Sequence, residues 1–106
     1  MEEAKPVKVS VYNEFVDVFA EMMANPRAKP HKIKAMGERL SRIGMKLFIL
    51  APDDVVHRYL TWRALAMVNE DPKKVLEAYV NTLMEMRKDV RGMTELKVET
   101  GMDLMV

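Results

Sequence analysis

Two stretches of this chain repeat large apolar residues at alternating steps of three and four. From Pro30 to Leu50 the series is Ile33, Met36, Leu40, Ile43, Leu47 and Leu50. After Pro72 it is Leu76, Tyr79, Leu83, Met86 and Val90. A mean step of 3.5 holds side chains on one stripe of an α-helix, whereas a strand needs a period of two. A chain with two such stripes must bury them against other helices, which points to an all-α fold.

The other segments fit the same reading. Ser10 to Ala24 places Tyr12, Phe15, Val16, Phe19, Met22 and Met23 at helical spacing. The valines of "VKVSV" alternate as in a strand, but the run is short and has no partner elsewhere, so residues 1–9 are expected as a disordered or extended N-terminus. Asp53 to Val68 starts with two carboxylates, which suit the positive end of a helix dipole. Its apolar residues, Val55, Val56, Tyr59, Leu60, Trp62, Leu65, Met67 and Val68, point nearly all round, so this helix is expected to be the most enclosed.

Stops and starts separate the four segments. Asn25-Pro26 ends the first, because proline drives its predecessor out of the helical region. "LAPDD" divides the second from the third. "NEDP" divides the third from the fourth, with Asp71 as cap and Pro72 in the first turn. Gly92 closes the fourth. Joints this short make successive helices antiparallel neighbours. The expected architecture is an antiparallel up-down-up-down four-helix bundle over residues 10–92. Residues 93–106 form a tail with a short helix near Glu99 to Met105, packed on that bundle.

One part of the pattern is excessive. After Gly44 the second helix loses its polar side, with Met45, Leu47, Phe48, Ile49 and Leu50 in sequence. The apolar tail, with Leu96, Val98, Met102, Leu104, Met105 and Val106, is the expected cover for Met45 to Ile49; a second copy of the chain is the competing cover. Gly37, Gly44 and Ala51 recur every seven residues beside the stripe. Glycine costs a helix roughly 1 kcal/mol relative to alanine, so close approach of a neighbouring helix along that edge is expected as compensation.

Charge excludes some roles. Seventeen basic and sixteen acidic residues give a formal charge of +1, which does not describe a protein that coats nucleic acid. The basic run of residues 27–46 nevertheless includes Arg27, Lys29, Lys32, Lys34, Arg39, Arg42 and Lys46, opposed only by Glu38. Such a run can grip phosphates. It can equally pair with Glu14, Asp17 and Glu21, an acidic stripe on the preceding helix. An antiparallel hairpin would match Glu14 with Lys46, Asp17 with Arg42 and Glu21 with Arg39. Recognised nucleic-acid motifs and interleaved aromatics are missing, so binding there ranks second.

The chemistry-bearing residues do not assemble into a catalytic constellation. There is no cysteine, hence neither a disulfide nor a thiolate metal site. Asp53 or Asp54 with His57 supplies two ligand types on one face, fewer than a metal site requires. Ser10 and Ser41 are the only serines, outside any nucleophile-elbow sequence, and no glycine-rich phosphate loop exists. No catalytic, metal or cofactor-binding residue is assigned, and the chain is read as a non-enzyme without a cofactor. Tyr12, Tyr59, Trp62 and Tyr79 allow a ligand pocket between helices, although aromatics at stripe spacing are ordinary core. Eleven methionines fit a core between helices and also an adaptable surface. The expected function is therefore an interaction or scaffold module, its partner another protein or a further copy. Its surface is expected at Arg39, Arg42, Met45, Lys46, Phe48 and Ile49. Without an apolar run of about 20 residues it does not insert in a membrane, and a cytoplasmic location is expected.

Four pieces, "VYNEFVDVF", "ERLSRIGMKLFILAPDDVVHRYLTW", "VLEAYVNTLMEMRKDV" and "TELKVETGMDLM", resemble a group of uncharacterised prokaryotic helical domains. The resemblance covers almost everything after the first ten residues. It implies a small helical bundle, in many members following a membrane-spanning or coiled-coil segment, and it implies no activity. Where such domains tend to read Gly-Ser before the third helix, this chain has Ala51-Pro52, without the serine cap. Near Gly92 it has "VRGM" in place of the usual short turn.

Overall fold

A computed structural model describes residues 5–25, 27–68 and 71–105. Residues 1–4, Pro26, Asn69, Glu70 and Val106 lie outside the described residues, including parts of two expected helix stops and the end of the tail. The described chain is all-helical, with α1 at Lys5–Ala24, α2 at Pro30–Leu50, α3 at Asp53–Met67, α4 at Pro72–Arg91 and α5 at Val98–Leu104. No strand occurs among the described residues. Contacts divide the chain into two compact units, Met1–Ala51 and Pro52–Val106, where the periodicity suggested one body over residues 10–92.

In the first unit α1 packs on α2. α1 begins at Lys5, so residues 5–9, expected as disordered or extended, are its first turns. Pro6 fits there because a first-turn residue needs no N–H partner. Asn25 ends the helix, donating both its backbone N–H and its side-chain amide to the Glu21 carbonyl, at 3.1 and 3.2 Å. Val11, Tyr12, Phe15, Val18 and Phe19 of α1 are buried, as are Leu40, Ile43 and Leu47 of α2. Burying each large side chain contributes about 1.5–3 kcal/mol over leaving it in water. The stripe on α2 is therefore the expected one from Leu40 onward. Its first member, Ile33, is 59% exposed, and Val16 and Met23 of α1 are likewise exposed. Gly37 does not mark the expected close approach, since a β-carbon there would meet no atom within 4 Å.

Ala51 and Pro52, both extended, turn the chain from α2 into the second unit. Asp53 and Asp54 occupy the first turn of α3. In α4 the cap is as expected: the Asp71 carboxylate accepts from the Lys73 N–H at 3.0 Å, with Pro72 in the first turn. Gly92 ends α4 at φ 87°, a left-handed value that suits glycine, and its N–H donates to Lys88 O at 2.7 Å.

The core of this unit is aromatic. Trp62 stands between Tyr59 and Tyr79, with ring centroids 5.9 and 6.2 Å apart, and all three are buried. Thr82, also buried, donates its hydroxyl to Ala78 O at 2.9 Å. α3 is less enclosed than its composition suggested: only Val55, Tyr59 and Trp62 are buried, while Leu60 and Met67 are 56% and 75% exposed.

The tail returns along α4. Arg87 donates through Nε to the Thr94 hydroxyl at 3.2 Å, and the Leu96 N–H donates to the same oxygen at 3.1 Å. α5 then packs on α4, with Gly101 against Val80. The expected short helix is present one residue earlier than anticipated.

Candidate interaction surface

The outward face of α2 follows from its inward one. Helix geometry turns each residue 100° from the last, so burying Leu40, Ile43 and Leu47 sends Glu38, Arg42, Met45 and Ile49 to the opposite side. Phe48 lies beside Met45 on that outer surface. Met45 is 63% exposed, Phe48 80% and Ile49 79%. The tail, expected to cover these residues, packs its α5 on α4 within the second unit. Apolar side chains of this size, next to one another in two helical turns, form a patch of a few hundred Å², the scale at which surface patches are functional.

The basic rim has its own order. Lys46 Nζ reaches the two Glu14 oxygens at 3.4 and 3.5 Å, and Arg39 pairs with Glu21. Both pairs are exposed, and each contributes about 0.2–1 kcal/mol. They run in opposite senses along α1 and α2, as the hairpin reading required. The middle pair is absent: no ion pair joins Asp17 to Arg42. By helical rotation Arg42 is turned roughly 40–60° further outward than Arg39 and Lys46, away from the α1 side that those two cations face. A polar hollow of about 320 Å³ results, lined by Glu14, Arg39, Arg42, Ile43 and Lys46. Three cations face one carboxylate there, immediately beside the apolar patch.

Spacing placed Arg42, Met45 and Ile49 on the outward face of α2, with Arg39 and Lys46 on the flank toward α1 and Phe48 on the opposite flank. It did not reveal that two of the cations are engaged with α1 and one is not. A second groove of about 220 Å³ lies nearer the start of α2, lined by residues that include Glu21, Lys32, Met36 and Arg39. In the second unit an open groove of about 340 Å³ includes Arg58, Thr61, Lys74 and Glu77. Tyr59, Trp62 and Tyr79 line none of these three.

Tyr59, among the described residues, has a displaced ionisation. Burial raises its phenol above the ordinary 10.0, and the neighbouring Arg63, by its charge and a donated hydrogen bond, works in the opposite direction. Asp53, Asp54 and His57 do not gather further ligands: no group of three or more histidines or carboxylates able to hold a metal occurs among the described residues. No helix among them is long and apolar enough to cross a membrane. Arg87 is engaged by Thr94, a contact that no periodicity signals.

No protein-family model, curated protein or solved structure matches this chain.

Proposed function

We propose that this chain is a non-enzymatic helical interaction module, cytoplasmic, that docks a partner on the last three turns of α2. Arg39, Arg42, Met45, Lys46, Phe48 and Ile49 form the docking surface. The observation that carries this reading is the 80% and 79% exposure of Phe48 and Ile49 beside a cation-rich hollow. Phe48 and Ile49 act as apolar anchors, and Arg42, which joins no ion pair among the described residues, selects an acidic group on the partner. The up-down-up-down arrangement of the four long helices belongs to the same proposal and rests on their short joints.

Nucleic-acid binding by residues 27–46 is the second reading. Arg39 and Lys46 are already paired with carboxylates of α1, which weakens the run as a phosphate clamp. A small-molecule pocket around Tyr59, Trp62 and Tyr79 is third, because the three rings pack on one another.

Affinity capture from the native organism tests the proposal, using the wild-type chain and a Phe48→Asp variant side by side. A partner held by the first and lost by the second supports it. Identical capture by both contradicts it, and retention of oligonucleotide at low salt would favour the second reading.

A further inference from the structure

α5 is the least secured element of the second unit. It spans seven residues, none of them buried, and Lys97 at its N-cap makes no side-chain hydrogen bond to it. A helix of that length is unstable alone in water, where even roughly 12–15 residues are marginal, so it persists by leaning on α4. Residues 92–97, which lead into it, have no regular structure. Two tie points hold the segment: Arg87 Nε donates to the Thr94 hydroxyl at 3.2 Å, and Gly101 lies against Val80. Val80 and Arg87 are seven residues apart and so share one side of α4, together with the partly buried Met84. Tyr79, which meets Trp62 of α3, is turned about 100° from Val80. The α3–α4 core of Val55, Tyr59, Trp62, Tyr79 and Met86 therefore draws no buried side chain from α5.

We propose that residues 93–104 are a detachable strap. α5 lifts from α4 as a unit while α3 and α4 stay folded, and in lifting it uncovers the side of α4 that Val80, Met84 and Arg87 share. The Arg87–Thr94 hydrogen bond is the latch. Thr94 Oγ1 also accepts from the Leu96 N–H at 3.1 Å, so one hydroxyl fixes both the path of the link and its tie to α4. The link has the reach to let go: residues 92–97 extend to about 20 Å, against the roughly 8–10 Å between packed helices. Little apolar surface of α5 itself is lost to water on opening, since Val98 and Met102 are already partly exposed and Leu104 is 81% exposed. Segments with so few buried contacts open well below the free energy of global unfolding. The apolar patch on α2 stands open, whereas this side of α4 is shielded until the latch yields.

The chain has no cysteine, so single engineered thiols report the opening without background. In the full chain, Val80→Cys places a thiol under the strap. Thr82→Cys places one in the α3–α4 core, at a position 0% exposed and turned about 60° from Tyr79. Circular dichroism establishes that both variants fold. With a small thiol reagent, position 80 is expected to label at least about tenfold faster than position 82. Its rate should hardly change with low urea, whereas that of position 82 should climb steeply, as global unfolding does. Thr94→Val, which removes the latch, is expected to raise labelling at position 80 about two- to tenfold, the worth of one hydrogen bond. Arg87→Met added to Thr94→Val should have no further effect, because the two side chains make one contact. Hydrogen exchange of the unsubstituted chain repeats the test: amides of residues 101–104 should exchange faster than those of residues 79–86, without urea dependence. Equal labelling at positions 80 and 82 with the same urea dependence overturns the proposal. So does exchange of residues 101–104 only together with residues 79–86, since α5 would then leave α4 only when the whole unit unfolds. Unchanged labelling at position 80 on Thr94→Val overturns the latch.

Discussion

A β-carbon on Gly101 would lie 2.6 Å from Val80 Cγ1, closer than two carbon atoms can approach without moving. Val80 is buried and β-branched, so its methyl group has no free rotamer to retreat into. This contact determines how closely α5 can sit on α4, and therefore which side of α5 faces water.

Gly101→Ala is accordingly expected to destabilise the docked tail, although alanine is the better helix former by about 1 kcal/mol. Overpacking costs roughly 1–3 kcal/mol and outweighs that gain. Faster hydrogen exchange across residues 98–104 would register it, and Val80→Ala in the same background should restore protection. A rise in stability from Gly101→Ala alone would contradict the close packing.

Gly37 is the opposite case. With open space where its side chain would be, Gly37→Ala is expected to stabilise the chain by up to about 1 kcal/mol, read by chemical denaturation. A loss of stability would show that a helix does approach there.

Asp71 and Tyr59 give two further expectations. Removing the carboxylate that caps α4, in Asp71→Ala, should cost about 0.5–2 kcal/mol. For Tyr59 the folded-state pKa lies above the unfolded value, so the folded chain holds its proton longer. That contribution is fully present below about pH 10 and is lost as pH rises through the folded-state pKa. Stability should thus decline with pH in the alkaline range, and Tyr59→Phe should flatten the decline. An identical slope in both proteins would show that Tyr59 is not the group responsible.

The stretches that sequence describes well are those where local chemistry decides the outcome. Pro30 and Asp71-Pro72 start helices, Gly92 ends one, and the stripe through Leu40, Ile43 and Leu47 admits only one inward face. The start of α1 was obscured because the alternating valines of "VKVSV" suit a strand as well as a helix, and only packing of Val11, Tyr12 and Phe15 selects the helix. The missing Asp17–Arg42 pair illustrates a different limit: periodicity assigns a face to within a residue, whereas an exposed ion pair depends on a few tens of degrees and one methylene group. The placement of the tail was illegible for a third reason. Its packing on α4 depends on the fit of Gly101 to Val80, a contact between two faces that no periodicity registers.

The most direct test of the docking surface is hydroxyl-radical footprinting of Met45 and Phe48. It compares the purified chain at high dilution with the same chain in native cell extract, using Met93, 95% exposed, as the internal reference. The account predicts strong labelling of Met45 and Phe48 when the chain is alone and clear protection in extract, with Met93 labelled in both. Equal labelling of all three residues in both conditions would contradict it.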